Sequence, residues 1–387
     1  MDQANLAVDT IVSAPRSAYV HVPFCVHRCG YCNFTLIAGR DDLFDAYLDA
    51  LERELTTLGE PRPIDTLFFG GGTPTHLPPA QLERLCRSVL RWLPLQAGGE
   101  WSVEANPGDL DRDRVDVLRQ FGVTRVSLGA QSFQAAKLKL LERDHGASDI
   151  ARAVELLQPW LPSLSLDLIC GVPGETLADW LDDLRQAVAL QPEHVSTYGL
   201  TIERGTTFWS RFERQELHRA PEELERTLYL AGIDTLSAAS YEHYEVSNFS
   251  RPGQRCRHNE AYWDAREYYA FGPGAARYVA GRREVNHRST TTYIQRVLAG
   301  KSPVAEWETL SPEDRAREAF VFGMRRLAGI DRAQFEPRFG VEIDQLFARE
   351  LAKHVRLGLL VDDSRIVRLT REGLLVSDSI WPDFLRA

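Results

Sequence analysis

The amino-acid sequence predicts an α/β protein whose main part is a parallel sheet covered by helices, followed by a smaller C-terminal domain. Over the first two thirds of the chain, short apolar runs alternate with amphipathic stretches of helical length, which is the pattern of consecutive βα units. The apolar runs are nearly continuous, as in strands that are buried on both faces. This alternation stops after about residue 290. Periodicity alone does not distinguish a barrel from an open sheet.

The predicted elements of the main part follow one another in regular order. Strands are expected at residues 18–22, 64–69, 101–105, 125–128, 164–169 and 194–198, and helices at residues 42–58, 79–93, 112–121, 149–160 and 177–190. Polar and glycine residues of such folds collect at the carboxyl ends of the strands. The sequence therefore predicts one site that is assembled from several strand ends.

The C-terminal part has a different pattern, and we expect a division into residues 1–290 and residues 291–387. Helices are predicted at residues 312–327 and 343–356, followed by strands at 359–361 and 365–369. Two helices and a small hairpin indicate a winged-helix-like domain. The formal net charge of −10 argues against a general affinity for nucleic acid, which requires clustered Lys and Arg. We therefore expect this domain to pack against the main part or a partner protein.

Composition indicates a globular protein of the cytoplasm. Hydrophobic residues make up 44% of the 387 residues, and no stretch reaches the ~18 uncharged apolar residues of a membrane helix. The first residues lack the apolar block of a secretory signal. Six cysteines are too few for a disulfide scaffold in so long a chain, and a tight cluster of cysteines in a reducing compartment usually binds metal.

Three of the cysteines form such a cluster. Cys25, Cys29 and Cys32 have the spacing C-x3-C-x2-C, so three thiolates on one short loop can hold three irons of a [4Fe–4S] cluster. The fourth iron would then be open to a further ligand. The alternative is a zinc site, in which His21 or His27 would supply the fourth ligand.

The cysteine spacing resembles that of the radical S-adenosylmethionine (SAM) superfamily. Residues 69–75, F-G-G-G-T-P-T, resemble the glycine motif of the same superfamily. The resemblance implies a partial (β/α)6 barrel, a [4Fe–4S] cluster and bound SAM. It also implies that one or two SAM molecules are contacted by Tyr19, Tyr31, Gly71, Gly72, Thr73, Glu104, Gln131, Arg143 and Asp167. Carboxylates suit the cationic and ribose groups of SAM, and an arginine suits its carboxylate, although each residue taken alone is more often structural.

Within the superfamily, the chain resembles the branch of oxygen-independent coproporphyrinogen III dehydrogenase. That pattern has a fourth cysteine two residues after the third, where this chain has Phe34. Residues 258–263, H-N-E-A-Y-W, instead resemble the H-N-x-x-Y-W motif of the HemW-type heme chaperones, and residues 369–380 resemble the same group. The resemblance thus covers nearly the whole chain.

The H-N-x-x-Y-W segment suits heme chemically. The imidazole of His258 can ligate iron, while Tyr262 and Trp263 offer apolar faces to a porphyrin. We therefore expect His258 to be the heme ligand. Cys256 is an alternative iron ligand, and a hydrogen-bonded histidine beside a core tryptophan is the structural alternative for His258.

The resemblance implies a binding and transfer protein that passes heme to apo-hemoproteins. Membrane-associated respiratory proteins or a heme storage protein are the expected recipients, and the cluster and SAM would support structure, homodimerisation or regulated release. The alternatives are oxidative decarboxylation of coproporphyrinogen III and radical SAM modification of heme. No catalytic residue is assigned, and the sequence leaves enzyme activity open.

Overall fold

The computed structural model describes residues 14–385, and its main part is built on a sheet of twelve strands. Six parallel strands lie side by side in chain order. They are β1 (Ser17–Val22), β2 (Ile64–Gly71), β3 (Leu95–Ala105), β4 (Arg125–Gln131), β5 (Ser163–Cys170) and β6 (His194–Gly199). The predicted parallel α/β sheet is confirmed, and its strand order is that of a partial (β/α)6 barrel.

Helices follow these strands much as the amphipathic pattern predicts. They are α1 (Phe44–Leu55), α2 (Pro79–Trp92), α3 (Arg112–Gln120), α4 (Ala135–Leu140), α5 (Ala147–Leu157) and α6 (Leu177–Ala189). Helix α6 begins where Thr176 and Asp179 form a capping box, in which each side chain bonds the backbone N–H of the other. The sequence did not predict α4, because six residues are too few to show a helical period.

Alternation along β1 separates the core from the site. Ala18, Val20 and Val22 are fully buried in the apolar layer between strands and helices. Tyr19 and His21 line the cavity described below. Successive side chains of a strand point to opposite faces, so one strand supplies both the core and the site.

Further strands extend both edges of this six-stranded sheet, and all of them except the strand at Tyr268–Phe271 are antiparallel to their neighbours. The added elements are α7 (Thr207–Glu213), α8 (Glu222–Ala238), β7 (Glu242–Glu245), β8 (Asn248–Ser250), α9 (Arg257–Trp263), β9 (Tyr268–Phe271), β10 (Ala276–Val279), β11 (Arg282–Asn286), α10 (Thr290–Leu298) and β12 (Val304–Thr309). Strand β9 pairs in parallel with β1 and starts a run that ends at β12, while β8 and β7 extend the sheet beyond β6. Within residues 14–385 the sheet therefore stays open, with β12 and β7 at its edges.

The C-terminal elements have the order of a winged helix, as predicted. They are α11 (Pro312–Met324), β13 (Ile330–Asp331), α12 (Arg332–Phe339), α13 (Ile343–Arg356), β14 (Leu360–Asp362), β15 (Ile366–Leu369), α14 (Arg371–Leu375) and α15 (Ser377–Phe384). Their core is centred on Phe320, Phe347 and Phe384, whose ring centroids lie 4.5–5.3 Å apart. The sequence missed α12, which contains Pro337.

The division of the chain near residue 290 needs to be moved. Strand β12 continues the main sheet by pairing with β11, so that sheet extends through Thr309. We now propose a division at about residue 310. The two parts also contact each other directly, because Tyr229 and Val246 pack against the C-terminal core and Arg326 forms an ion pair with Asp264.

No helix among residues 14–385 has both the length and the apolar character needed to cross a bilayer.

Candidate functional site

A cavity of about 830 Å³ lies where the carboxyl ends of the parallel strands meet the cysteine loop. Thirteen residues were assigned from the sequence to the cluster, to SAM or to heme, and twelve of them lie in the wall of this cavity. They are Tyr19, Cys25, Cys29, Tyr31, Cys32, Gly71, Gly72, Thr73, Glu104, Gln131, Arg143 and Asp167. The thirteenth, His258, is not part of its lining. This cavity therefore has the form expected from the sequence, a single site assembled from several strand ends.

The three clustered cysteines lie on the loop that follows β1, and all three are free thiols. Cys25 Sγ is 3.4 Å from the hydroxyl of Thr73, which follows β2. Cys29 Sγ accepts a hydrogen bond of 3.4 Å from Nη1 of Arg143. The loop thereby brings its sulfur atoms against two other segments of the cavity wall.

Backbone contacts fix the shape of the cysteine loop. Arg28 donates hydrogen bonds to the carbonyls of Cys32, Phe34 and Leu36 at 3.2, 3.2 and 2.6 Å. Arg288, from the other end of the main part, donates to the carbonyl of Asn33 at 2.9 Å. The phenyl ring of Phe34 is 63% exposed at the cavity wall. Two arginines thus hold the loop in place without contacting its sulfur atoms.

Gly30 allows α7 to pack onto this loop. A Cβ atom at Gly30 would lie 2.5 Å from the ring of Phe208 and 2.8 Å from a carboxylate oxygen of Glu142. The N–H of Phe208 also donates to the carbonyl of Gly30 at 2.8 Å. Close approach of α7, rather than an unusual backbone conformation, therefore requires glycine here.

Burial favours the neutral thiol at Cys25 and at Cys32 when no metal is bound. Desolvation raises the pKa of Cys25 to about 12 and also raises the pKa of Cys32. Thiolates at this loop therefore require a strong positive charge beside them, such as bound iron. Among residues 14–385 no group of three or more His, Cys, Asp or Glu side chains is arranged to hold a single metal ion. The three thiols instead border a larger open space.

The glycine motif is needed because the end of β2 lies directly against the His21 side chain and the backbone of Phe24. A Cβ atom at Gly71 would lie 2.3 Å from the His21 ring, and Gly71 has φ +111°. One at Gly72 would lie 2.6 Å from the carbonyl oxygen of Phe24. The same close approach allows the N–H of Gly72 to donate a hydrogen bond to the carbonyl of Val22 at 2.8 Å. Only glycine fits such a contact without moving the backbone.

Glu104 and Asp167 are two of the four acidic residues that line the cavity, the others being Asp144 and Glu203. Burial raises the pKa of Glu104 to about 7, with a further increase from Asp167, while the N–H of Gly71 donates to Glu104 Oε2 at 2.8 Å. Burial also raises the pKa of Asp167, which accepts hydrogen bonds of 2.9 and 2.8 Å from Ser127. Both carboxylates are thus poised for a cationic or hydroxyl-bearing ligand.

Arg143 joins the cysteine loop to the strand ends. Besides Cys29, its guanidinium contacts the side chain of Asn106 and donates to the carbonyl of Gly129 at 3.2 Å. Its Nε atom is buried and has no hydrogen-bond partner among the described residues. Gln131 ends β4 with φ +61°, a left-handed conformation that is uncommon for a residue with a side chain. Arg143 thus lines the cavity beside Cys29 and keeps one buried donor without a partner among the described residues.

Tyr19 and His21 form the wall on the β1 side. The Tyr19 hydroxyl is 3.0 Å from Nδ1 of His21, and Nε2 of His21 is 2.6 Å from the carbonyl of Thr35. The Tyr19 ring is stacked near Phe68, with ring centroids 6.0 Å apart. Burial lowers the pKa of His21 to about 4, so this wall is uncharged at neutral pH.

His258 lies outside the cavity and is 1% exposed. Its Nδ1 is 3.0 Å from the hydroxyl of Thr66, and its Nε2 is 2.9 Å from the hydroxyl of Tyr262. Its ring also packs against Phe68, with centroids 5.2 Å apart, and burial lowers its pKa to about 3. Both ring nitrogens are therefore occupied in this conformation.

The helix that carries His258 is fixed at its start by a buried acid. Glu100, on β3, accepts hydrogen bonds of 3.0 Å each from the backbone N–H groups of Arg257 and His258. It also accepts a bond of 3.7 Å from the thiol of Cys256, and burial raises the pKa of that thiol to about 12. Cys256 is accordingly a buried, neutral thiol.

Several cavity residues were not found from the sequence. They are Ser127, Ile169, Tyr198 and Arg288 as lining residues. Ile169 and Tyr198 lie at the carboxyl ends of β5 and β6, so the strand-end argument could have found them. Arg288 reaches the loop across 255 residues of chain, and no local pattern predicts such a contact.

Comparison with known proteins agrees with this architecture. Residues 19–187 match the model of the Radical SAM superfamily, and residues 310–376 match that of the HemN C-terminal domain. The solved structure of coproporphyrinogen III oxidase (HemN) from Escherichia coli, described as a radical SAM enzyme, superposes with a TM-score of 0.85 at 23% identity and covers 96% of this chain and 90% of that one. This likeness confirms the fold class.

Relatives with curated names are similar over almost their full length. The heme chaperone HemW of Bacillus subtilis is 34% identical over 376 residues, which are 96% of this chain and 99% of that protein. The heme chaperone HemW of Escherichia coli is 33% identical and covers 96% of this chain and 98% of that protein. The chain therefore belongs to the radical SAM superfamily and, within it, to the family of proteins named heme chaperone HemW.

Proposed function

We propose that this protein is a heme chaperone that binds heme and transfers it to apo-hemoproteins, with a [4Fe–4S] cluster and SAM bound in its partial barrel. The observation that carries the proposal is the near full-length similarity to proteins named heme chaperone. The presence of Phe34, in place of a fourth cysteine, supports the chaperone over the dehydrogenase.

Cys25, Cys29 and Cys32 are proposed to hold the cluster. Their three thiols border one cavity, which is compatible with a cubane, because a cubane takes its thiolate ligands on separate irons. When bound, the cluster would supply one iron that is open to the amino and carboxylate groups of SAM. Arg143, beside Cys29, would offset the negative charge of the thiolates.

The remaining cavity residues are proposed to bind and orient SAM. Glu104 is suited to a cationic amino group, since it becomes ionised near pH 7. Arg143, which lines the cavity, has a guanidinium suited to a carboxylate. Asp167 is suited to ribose hydroxyls, because it already accepts bonds from serine hydroxyls.

Heme ligation at His258 would require α9 to move. The iron could reach the imidazole only after its contact with Thr66 or Tyr262 is broken. Heme binding is therefore expected to be slow and to be limited by this opening. Recipients are proposed to be apo-hemoproteins, including membrane-associated respiratory proteins or a heme storage protein, and the reducing cytoplasm suits six free cysteines.

Heme titration of three variants tests the ligand. His258→Ala should abolish the Soret shift of the wild type. Thr66→Val removes one hydrogen bond to the imidazole and keeps its volume, as Tyr262→Phe does for the other bond, so both should bind heme at least as fast as the wild type. An unchanged spectrum in His258→Ala would reject His258 as the ligand.

Transfer and enzyme activity are tested separately. The heme-loaded wild type should deliver heme to an apo-hemoprotein, and failure to bind or transfer heme would overturn the chaperone proposal. An anaerobic assay with reductant, SAM and coproporphyrinogen III should give no protoporphyrinogen. Formation of that product would establish the dehydrogenase instead.

A further inference from the structure

A buried charged cluster lies behind the cavity and has no part in the site described so far. It consists of Lys137 on α4, Glu175 in the loop after β5, and Asp183 on α6. The Lys137 ammonium lies 2.5 Å from Glu175 Oε1 and 3.0 Å from Asp183 Oδ2. The three side chains are 5%, 1% and 0% exposed. Charges this deeply buried are costly unless they are well paired.

The remaining hydrogen bonds of the cluster go to the loops behind the cavity. Asp183 accepts bonds from the hydroxyl of Ser132 at 2.8 and 2.9 Å and from the backbone N–H of Phe133 at 2.8 Å. Glu175 accepts a bond of 3.0 Å from the N–H of Val172. The cluster therefore ties the end of β4 to the end of β5 through α6.

Two cavity residues lie on either side of the tied segment. Gln131 immediately precedes Ser132 and has the left-handed φ of +61°. Arg143 follows α4, and its N–H donates to the carbonyl of Leu138 at 2.9 Å. Lys137 is six residues from each of them along the chain. A helix of only six residues has little stability of its own, so its position depends on such an anchor.

We propose that Lys137, Glu175 and Asp183 are positioning residues for SAM binding: they lock α4 and thereby set Gln131 and Arg143 at the cavity. This inference rests on the proposed function, because it assumes that SAM is the ligand of these two residues. None of the three charged groups lines the cavity, so they act only through the backbone that they hold.

The test measures SAM affinity in the reconstituted protein. Lys137→Met should weaken SAM binding about tenfold or more and should diminish the change that SAM causes in the electron paramagnetic resonance spectrum of the reduced cluster. Lys137→Arg should restore part of the affinity. Lys139→Met, on the exposed side of the same helix, is the matched control and should bind SAM like the wild type.

A general loss of stability must be separated from a loss of positioning. Val367→Ala, in the C-terminal core, should lower the melting temperature and leave SAM affinity unchanged. If Lys137→Met does not fold, Glu175→Gln is measured instead, because it keeps the volume and removes one charge, and it should also weaken SAM binding. Wild-type SAM affinity in folded Lys137→Met, or in Glu175→Gln if that variant is used, would overturn this inference. Absence of SAM binding in the wild type would instead overturn the proposed function.

Discussion

Glu104 shows how a single residue can combine a structural and a binding role. Its Oε2 accepts the N–H of Gly71 and so joins β3 to the glycine motif. The same carboxyl lines the cavity, where burial and Asp167 raise its pKa to about 7. A group that titrates near neutral pH can adjust its charge to a cationic ligand.

This shifted pKa predicts a pH dependence of stability. The pKa is about 4.5 in the unfolded chain and about 7 in the folded one, so the stability that the protonated carboxyl contributes is complete below pH 4.5 and is lost as the pH rises through 7. Glu104→Gln has no such titration. The difference in unfolding free energy between this variant and the wild type should therefore shift in favour of the variant by up to about 3 kcal/mol between pH 5 and pH 8.

Urea denaturation of the SAM-free protein at several pH values measures this difference. Glu306→Gln, on the exposed edge strand β12, serves as the control and should parallel the wild type throughout. A constant difference between Glu104→Gln and the wild type would contradict the shifted pKa.

His258 shows that a sequence motif does not reveal contacts with residues that are distant along the chain. The ring of His258 contacts Tyr262, which belongs to the motif, and Phe68, which does not. The motif could not show that Thr66, 192 residues earlier in the chain, occupies one ring nitrogen. Partners that are distant in sequence leave no trace in local spacing, and the ligand assignment therefore depends on the titration proposed above.

At the scale of elements, the glycine motif is the clearest link between sequence and packing. It lets the end of β2 lie against the loop after β1, so that Thr73 reaches Cys25 at 3.4 Å. The three-glycine run predicted a turn after a strand. The close approach of His21 and Phe24 that requires it became visible only in three dimensions.

Gly71→Ala tests this packing. The new Cβ would collide with the His21 ring and would be strained at φ +111°, so the variant should lose about 2–4 kcal/mol of unfolding free energy. Gly108→Ala places its Cβ no closer than 4.0 Å to any neighbour and should change stability by less than about 0.5 kcal/mol. Equal stability of the two variants, measured by denaturant unfolding, would contradict the steric account.

Length alone did not decide which elements the sequence predicted, because α8, the longest helix of the described residues, was missed, whereas the short strands β14 and β15 were expected. Helix α13 lies at the residues that its period predicts, Ile343–Arg356. The six parallel strands lie at their predicted apolar runs, although β3 begins at Leu95, before the predicted start at residue 101. Strands β7 to β12 have three to six residues each. Apart from β9, with the sequence Y-Y-A-F, they lack an apolar run, so packing on neighbouring strands rather than intrinsic preference holds them in place.

At the scale of the whole molecule, the chain is a partial barrel with its cavity at one end and a winged-helix-like domain beside it. The ion pair of Arg326 with Asp264 connects that domain to the residue that follows α9. Twelve predicted residues from six segments of the chain meet at one cavity. The resemblance identified them, and the order of the strands explains why they come together.

Iron and acid-labile sulfide analysis of anaerobically reconstituted protein tests the central claim most directly. The wild type and Cys86→Ala, whose thiol is buried in α2, should each contain about four irons and four sulfides per chain. Cys29→Ala should lack an intact cluster. Stoichiometric zinc without sulfide in the wild type, or an unaltered iron content in Cys29→Ala, would contradict the proposed cluster site.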